Sequence, residues 1–165
     1  MSLHISRMPN MWNISPGSRI RLLALLVACA LVMATVAAHA QGTVRLVLKG
    51  YDPVAYFKLG AARQGDSAFS FDWDGGRYQF ISAEHRDLFA ADPERYAPHF
   101  GGFCTGFMAR GVRSEGDPHG WVIQEGRLYV FGQAKFRDVA LADPNFVASR
   151  LAAARTNWQK LKSGP

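Results

Sequence analysis

Two cysteines in 165 residues cannot build a disulfide framework. Charge is sparse as well, at 19% of residues against 48% hydrophobic, which excludes an extended disordered chain. The net charge of +6 comes with no lysine or arginine run of the kind that tracks phosphates, so nucleic acid is not an expected partner. Three catalytic signatures are also missing: a Gly-x-Ser-x-Gly elbow, a phosphate-cradling glycine loop and a His-Glu-x-x-His metal motif. What is left is the length of one small domain, rich in aromatics: four Trp, five Tyr and eleven Phe.

The single long apolar run, Leu22 to Ala38, follows Arg19 and Arg21 and ends in Ala38-His39-Ala40 before Gln41. A basic start, an apolar core and small residues at −3 and −1 predict a secretory signal peptide over 1–40 and a domain over 41–165. The run falls short of the roughly 20 residues that span a bilayer, so cleavage is expected rather than an anchor, with no transmembrane segment afterwards. Leu26-Val27-Ala28-Cys29 resembles a lipoprotein box, but an apolar stretch continues beyond Cys29, and ordinary cleavage is the reading adopted. The leader carries three arginines and no acid, so the balance falls to +3 and Cys104 becomes the only thiol. The expected location is periplasmic or secreted.

The remainder repeats itself. Between Tyr78–Ala97 and Tyr129–Ala148, at a constant offset of 51, nine of twenty positions are identical. Two copies are too few for a solenoid, which suggests a duplicated supersecondary unit within one domain. Each copy opens with alternating residues around Asp74-Gly75 or Glu125-Gly126, which predicts a hairpin. A short helix should follow, then a restart at Asp92-Pro93 or Asp143-Pro144, where Asp caps and Pro occupies the first helical position. Val147, Leu151, Ala154, Trp158 and Leu161 are spaced as one face of a C-terminal helix, and Val44, Leu46 and Leu48 alternate as an opening strand. The fold class is α+β.

Gly50-Tyr51-Asp52-Pro53-Val54-Ala55-Tyr56-Phe57, then Tyr78-Gln79-Phe80-Ile81-Ser82-Ala83-Glu84-His85-Arg86-Asp87-Leu88-Phe89, and Asp92-Pro93 with Tyr96, together resemble the YHS domain family, in particular its exported bacterial members. The resemblance covers about residues 43–160. It implies a small α+β fold and, through association with copper-transporting ATPases and metal-handling proteins, metal binding. Where metal-handling members carry cysteines, this chain reads Ala55, Ile81 and His85, so His85 alone keeps a ligand-capable side chain.

Features present in one copy only are the functional candidates. His85 stands opposite Phe136, and the connecting stretch holds His99, Cys104 and Met108 on a glycine-rich backbone. Imidazole, thiolate and thioether suit copper, or zinc, and these four form the candidate metal set. The alternative for Cys104 and Met108 is plain core packing. A second expectation pairs Cys104 as nucleophile with His85 or His99 as base. A third is an apolar cleft walled by Tyr51, Asp52, Trp73 and Trp121, with Tyr56 nearby, for a small ligand or a protein partner.

Overall fold

Arg45–Leu46 (β1) opens the part of the chain that the computed structural model describes, residues 44–143 and 145–163. The expected leader, with its expected cleavage site and Cys29, lies outside the described residues, as does Pro144 of the second Asp-Pro restart. The opening strand is shorter than its alternation suggests. After Leu46 the chain enters a 3-10 turn over Val47–Gly50, with Leu48 and Lys49 at φ of 52° and 54°. That turn buries Val47 and Leu48 together, which a strand with alternating faces would not do.

Helix α1 (Pro53–Leu59) starts under an Asp52 cap, with Pro53 in the first turn where its missing N–H is no loss. Strands β2 (Asp66–Trp73) and β3 (Gly76–Phe80) then form the first hairpin, and β1 joins it parallel to β3, giving the order β1-β3-β2. Both turn residues have positive φ, 44° at Asp74 and 74° at Gly75, the backbone that matches the right-handed twist of the paired strands. Ser82 caps α2 (Ala83–Ala91), and Asp92 caps the single turn α3 (Pro93–Tyr96).

A second 3-10 turn, His99–Gly102, leads to α4 (Thr105–Met108) and to the second hairpin, β4 (Asp117–Gln124) with β5 (Arg127–Phe131). Helix α5 (Phe136–Ala142) follows, and α6 (Asn145–Ser163) closes the chain. Among the described residues, two small sheets and six α-helices give an α+β fold. No helix among the described residues is long and apolar enough to cross a membrane.

The two hairpins carry the same ladder. Ser70 pairs with Gln79 and Trp121 with Val130, and each later pair of one hairpin has its counterpart 51 residues on. The irregularity recurs as well, between Asp66 and Ser70 and between Asp117 and Trp121. Upstream the two segments still correspond, at an offset of 52 from Leu48/Phe100 to Asp52/Cys104 and of 51 again at Arg63/Ser114. Tyr51 N bonds Leu48 O and Phe103 N bonds Phe100 O; Asp52 N bonds Arg63 O and Cys104 N bonds Ser114 O. Asp52 and Cys104 therefore occupy equivalent places, each just before a short helix.

The core forms two clusters, the first of which also takes in Trp121, Leu128 and Val130 of the second hairpin. Tyr78, Phe80 and Phe89 centre the first cluster; Met108, Phe131 and Val147 centre the second. The aromatic pairs Tyr78/Tyr129 and Phe80/Phe131 are all buried, as expected of hairpin residues facing helices. Arg86 pairs with its neighbour Asp87 at 2.8 Å, whereas Arg137 lies 4.9 Å over the Trp121 ring.

Candidate functional site

Asp52 is fully buried and fully engaged. Its Oδ1 accepts from the Val54 and Ala55 amides at 2.8 and 3.2 Å, and its Oδ2 from the Ile81 amide at 3.0 Å. Oδ2 also meets His85 Nδ1 at 2.6 Å. A carboxylate only accepts, so the shared proton sits on Nδ1 and His85 is the donor. The pair ties the Gly50–Asp52 turn, the start of α1, the end of β3 and the first turn of α2 at one buried point. The side chain that the sequence offered as a ligand-cleft wall is thus taken up by four hydrogen bonds within the fold.

Trp121 also drops out of the expected apolar cleft. Its ring packs edge-on to Tyr56 at 4.9 Å, under the Arg137 guanidinium, and is 8% exposed. Tyr56 donates its hydroxyl to Pro118 O at 3.0 Å, and burial pushes its phenol above the usual range. Tyr51 is partly exposed and pairs instead with His119: the hydroxyl lies 3.2 Å from Nε2 and the rings meet edge-on at 5.3 Å. Of the four expected lining residues, Trp73 lines the cleft described below.

The four expected metal donors are dispersed. His85 is held by Asp52 in the first segment, while Cys104 and Met108 sit in the second core cluster, 5% and 0% exposed. His99 packs on Phe100 and Tyr129 at 4.6 and 5.1 Å and lines a cleft that contains neither sulfur. Among the described residues no three His, Cys, Asp or Glu side chains come together as a metal would need. Nor does the Cys104 thiol hydrogen-bond to a histidine among them, so the expected nucleophile–base pair is not assembled.

A cleft of about 650 Å³ runs between the first hairpin turn, the His99–Gly102 turn and the C-terminal end of α6. Trp73, Tyr78, Phe103 and Trp158 supply flat apolar walls. Four cations line it, and they differ in their partners. Arg45 pairs with Glu115 at 3.0 Å and lies 4.3 Å over Phe103, and Lys162 pairs with Asp74 at 2.8 Å. Arg113 bonds the Leu161 carbonyl and Arg127 the Glu94 carbonyl, and neither has a carboxylate partner among the described residues. Their charge therefore stays available at the cleft. His99 is kept neutral: burial, then the Arg155 and Arg127 charges, lower its pKa from 6.5 to about 4. Burial raises Tyr78 to about 12, so its hydroxyl stays a donor.

Sequence reasoning singled out Trp73 and His99 but missed Arg113, Arg127 and Trp158. They come from a loop, a strand start and a helix end, scattered over 46 positions, and no local pattern joins them. In the sequence, Trp158 stands only as one member of a helical apolar face. Comparison with protein-family models, with curated proteins and with solved structures finds no match to this chain.

Proposed function

We propose that this protein is an exported, non-enzymatic binding module for a small polar molecule that carries a planar ring and an anionic group. The observation that supports the reading is the cleft of about 650 Å³, within the usual range for ligand sites, which combines flat aromatic walls with two guanidinium groups free of acidic partners. Trp73 and Trp158 offer faces on which a ring can lie, and Arg113 and Arg127 offer forked donors to a carboxylate or phosphate. Neutral His99 adds an uncharged donor or acceptor without competing for the anion. The leader-like start supports export, and the Gly50–Phe57 and Tyr78–Phe89 motifs support a place among YHS-like domains. A small-ligand role fits better than a metal role because the cleft brings chemistry together, whereas the candidate metal donors are apart.

Tryptophan fluorescence tests the reading, since two of the four tryptophans line the cleft. Titration with aromatic phosphates and sulfonates of one to three rings is expected to give saturable quenching by at least one of them. Arg127→Ala should weaken that binding at least about tenfold, in keeping with a lost charge-assisted contact. No saturable quenching, or quenching indifferent to Arg127→Ala, contradicts it.

A further inference from the structure

Cys104 and Asp52 occupy equivalent places, but the space around them is filled differently. In the first segment Asp52 reaches across to Ile81 N and His85 Nδ1, with Val54 fully buried beside it. At the equivalent positions of the second segment stand Cys104, Gly132, Phe136 and Gly106. The thiol makes no cap hydrogen bond, and the two glycines carry no side chain where the first segment has Ile81 and Val54. What opens there is a cavity of about 300 Å³. Cys104 and Gly132 line it, as do Phe131, Phe136 and Phe146, the first and last of these rings meeting edge-on at 5.2 Å.

The rim is cationic. Arg150 lies 4.0 Å over the Phe146 ring, with its guanidinium bonded to the Phe146 carbonyl and to Ser149 Oγ at 3.1 Å. Arg110 lies 5.7 Å from the Phe107 ring. No acidic residue lines the cavity among the described residues, and neither arginine belongs to any of the five ion pairs there. An aromatic-walled cavity beside two uncompensated guanidinium groups matches a flat apolar body with one carboxylate, and its volume, at the low end for ligand sites, limits that body to one or two rings.

We infer that the Cys104 cavity is a second binding site, for a small aromatic carboxylate whose ring lies among Phe131, Phe136 and Phe146 and whose anionic end meets Arg110 and Arg150. It is separate from the cleft and does not depend on the function proposed for it. Neither site shares a lining residue with the other.

The glycine that opens the cavity also gives a way to close it. A Cβ on Gly132 would meet Cys104 Sγ at 3.7 Å and Phe107 Cε2 at 3.8 Å, ordinary contacts, so a larger side chain there enters the cavity without straining the backbone. The test uses the protein with Cys29→Ser, leaving Cys104 as its only thiol. Benzoate, and its neutral isostere benzamide, are titrated against the rate at which the small neutral reagent methyl methanethiosulfonate modifies Cys104, followed by mass spectrometry. Benzoate should slow modification saturably, and benzamide should require at least about tenfold more, the ratio expected for one charge-assisted pair. Gly132→Ile should abolish the effect of benzoate while leaving the protein folded, as read by its thermal unfolding. If Gly132→Ile does not fold, Arg110→Gln with Arg150→Gln decides instead, by removing the preference for benzoate over benzamide. Equal protection by the two compounds in the parent, no protection by benzoate, benzoate protection that survives Gly132→Ile, or a preference for benzoate that survives in the double arginine variant overturns the inference.

Discussion

The two hairpin segments present one backbone frame closed in two ways. In the first, a carboxylate fully withdrawn from water is satisfied by three amides and an imidazole, and neither Asp52 nor His85 lines the cleft or the cavity described above. In the second, a thiol occupies the same place without a cap bond, glycines replace side chains, and about 300 Å³ stays open. Equal ladders thus do not imply equal interiors. The ladder is set by strand alternation and turn residues, whereas the space behind it is set by four side-chain positions that tolerate very different chemistry.

Removing Asp52 breaks this comparison hardest. Asp52→Ala leaves three amide donors and His85 unpartnered in a buried place, and should lower stability by about 3–5 kcal/mol in a denaturant titration. Cys104→Ala, at the equivalent position, removes one sulfur from the edge of an existing cavity and should stay within about 1.5 kcal/mol of the parent. Similar losses for the two would mean that the places are not distinct in the way described.

Glycine substitutions sharpen the contrast at lower amplitude. A Cβ on Gly65 would lie 2.6 Å from the Gln79 carbonyl carbon, and one on Gly116 would lie 2.9 Å from the Gly102 carbonyl oxygen. Backbone cannot step aside as a side-chain tip can, so Gly65→Ala and Gly116→Ala should each lower stability by about 1–3 kcal/mol. Gly132→Ala meets only ordinary contacts and reduces the freedom of the unfolded chain, so it should be neutral or stabilising by up to about 1 kcal/mol. Thermal unfolding of the three variants side by side reads the difference.

The smallest effect concerns pH. His99 is held neutral in the folded state, with its pKa near 4 against 6.5 unfolded, so below 6.5 the unfolded chain binds a proton that the folded chain refuses. Stability should therefore fall as pH drops from about 6.5 to about 4 and gain no further loss from this residue below that. His99→Gln should flatten that interval by a modest amount, since the ring is only partly buried. An unchanged slope would show that another group titrates there.

Local chemistry made the hairpins readable from sequence. Asp74-Gly75 and Glu125-Gly126 sit between alternating runs, and the structure turns at those residues. The Asp92 cap was legible for the same reason, since cap and helix are neighbours in the chain. Leu48 was not, because its positive φ comes from a turn that buries it against Val47, while its place in an apolar-polar alternation pointed to a strand. The equivalence of Asp52 with Cys104 was hidden as well. Identity between the copies begins only near Tyr78, and Gly-Tyr-Asp-Pro-Val shares little with Gly-Phe-Cys-Thr-Gly beyond its first glycine. His85, His99, Cys104 and Met108 were recognisable as possible donors from residue type alone, but type says nothing of distance. His85 turned towards Asp52, 33 residues away, and the sulfurs turned into another cluster.

A crystal of the protein pressurised with xenon tests the central comparison most directly, because xenon collects in dry apolar cavities large enough to hold it. A xenon atom should appear among Phe131, Phe136 and Phe146 beside Cys104, with none at the equivalent place beside Asp52 and His85. Xenon beside His85, or in neither place, would contradict the claim that one shared frame is closed in the first segment and open in the second.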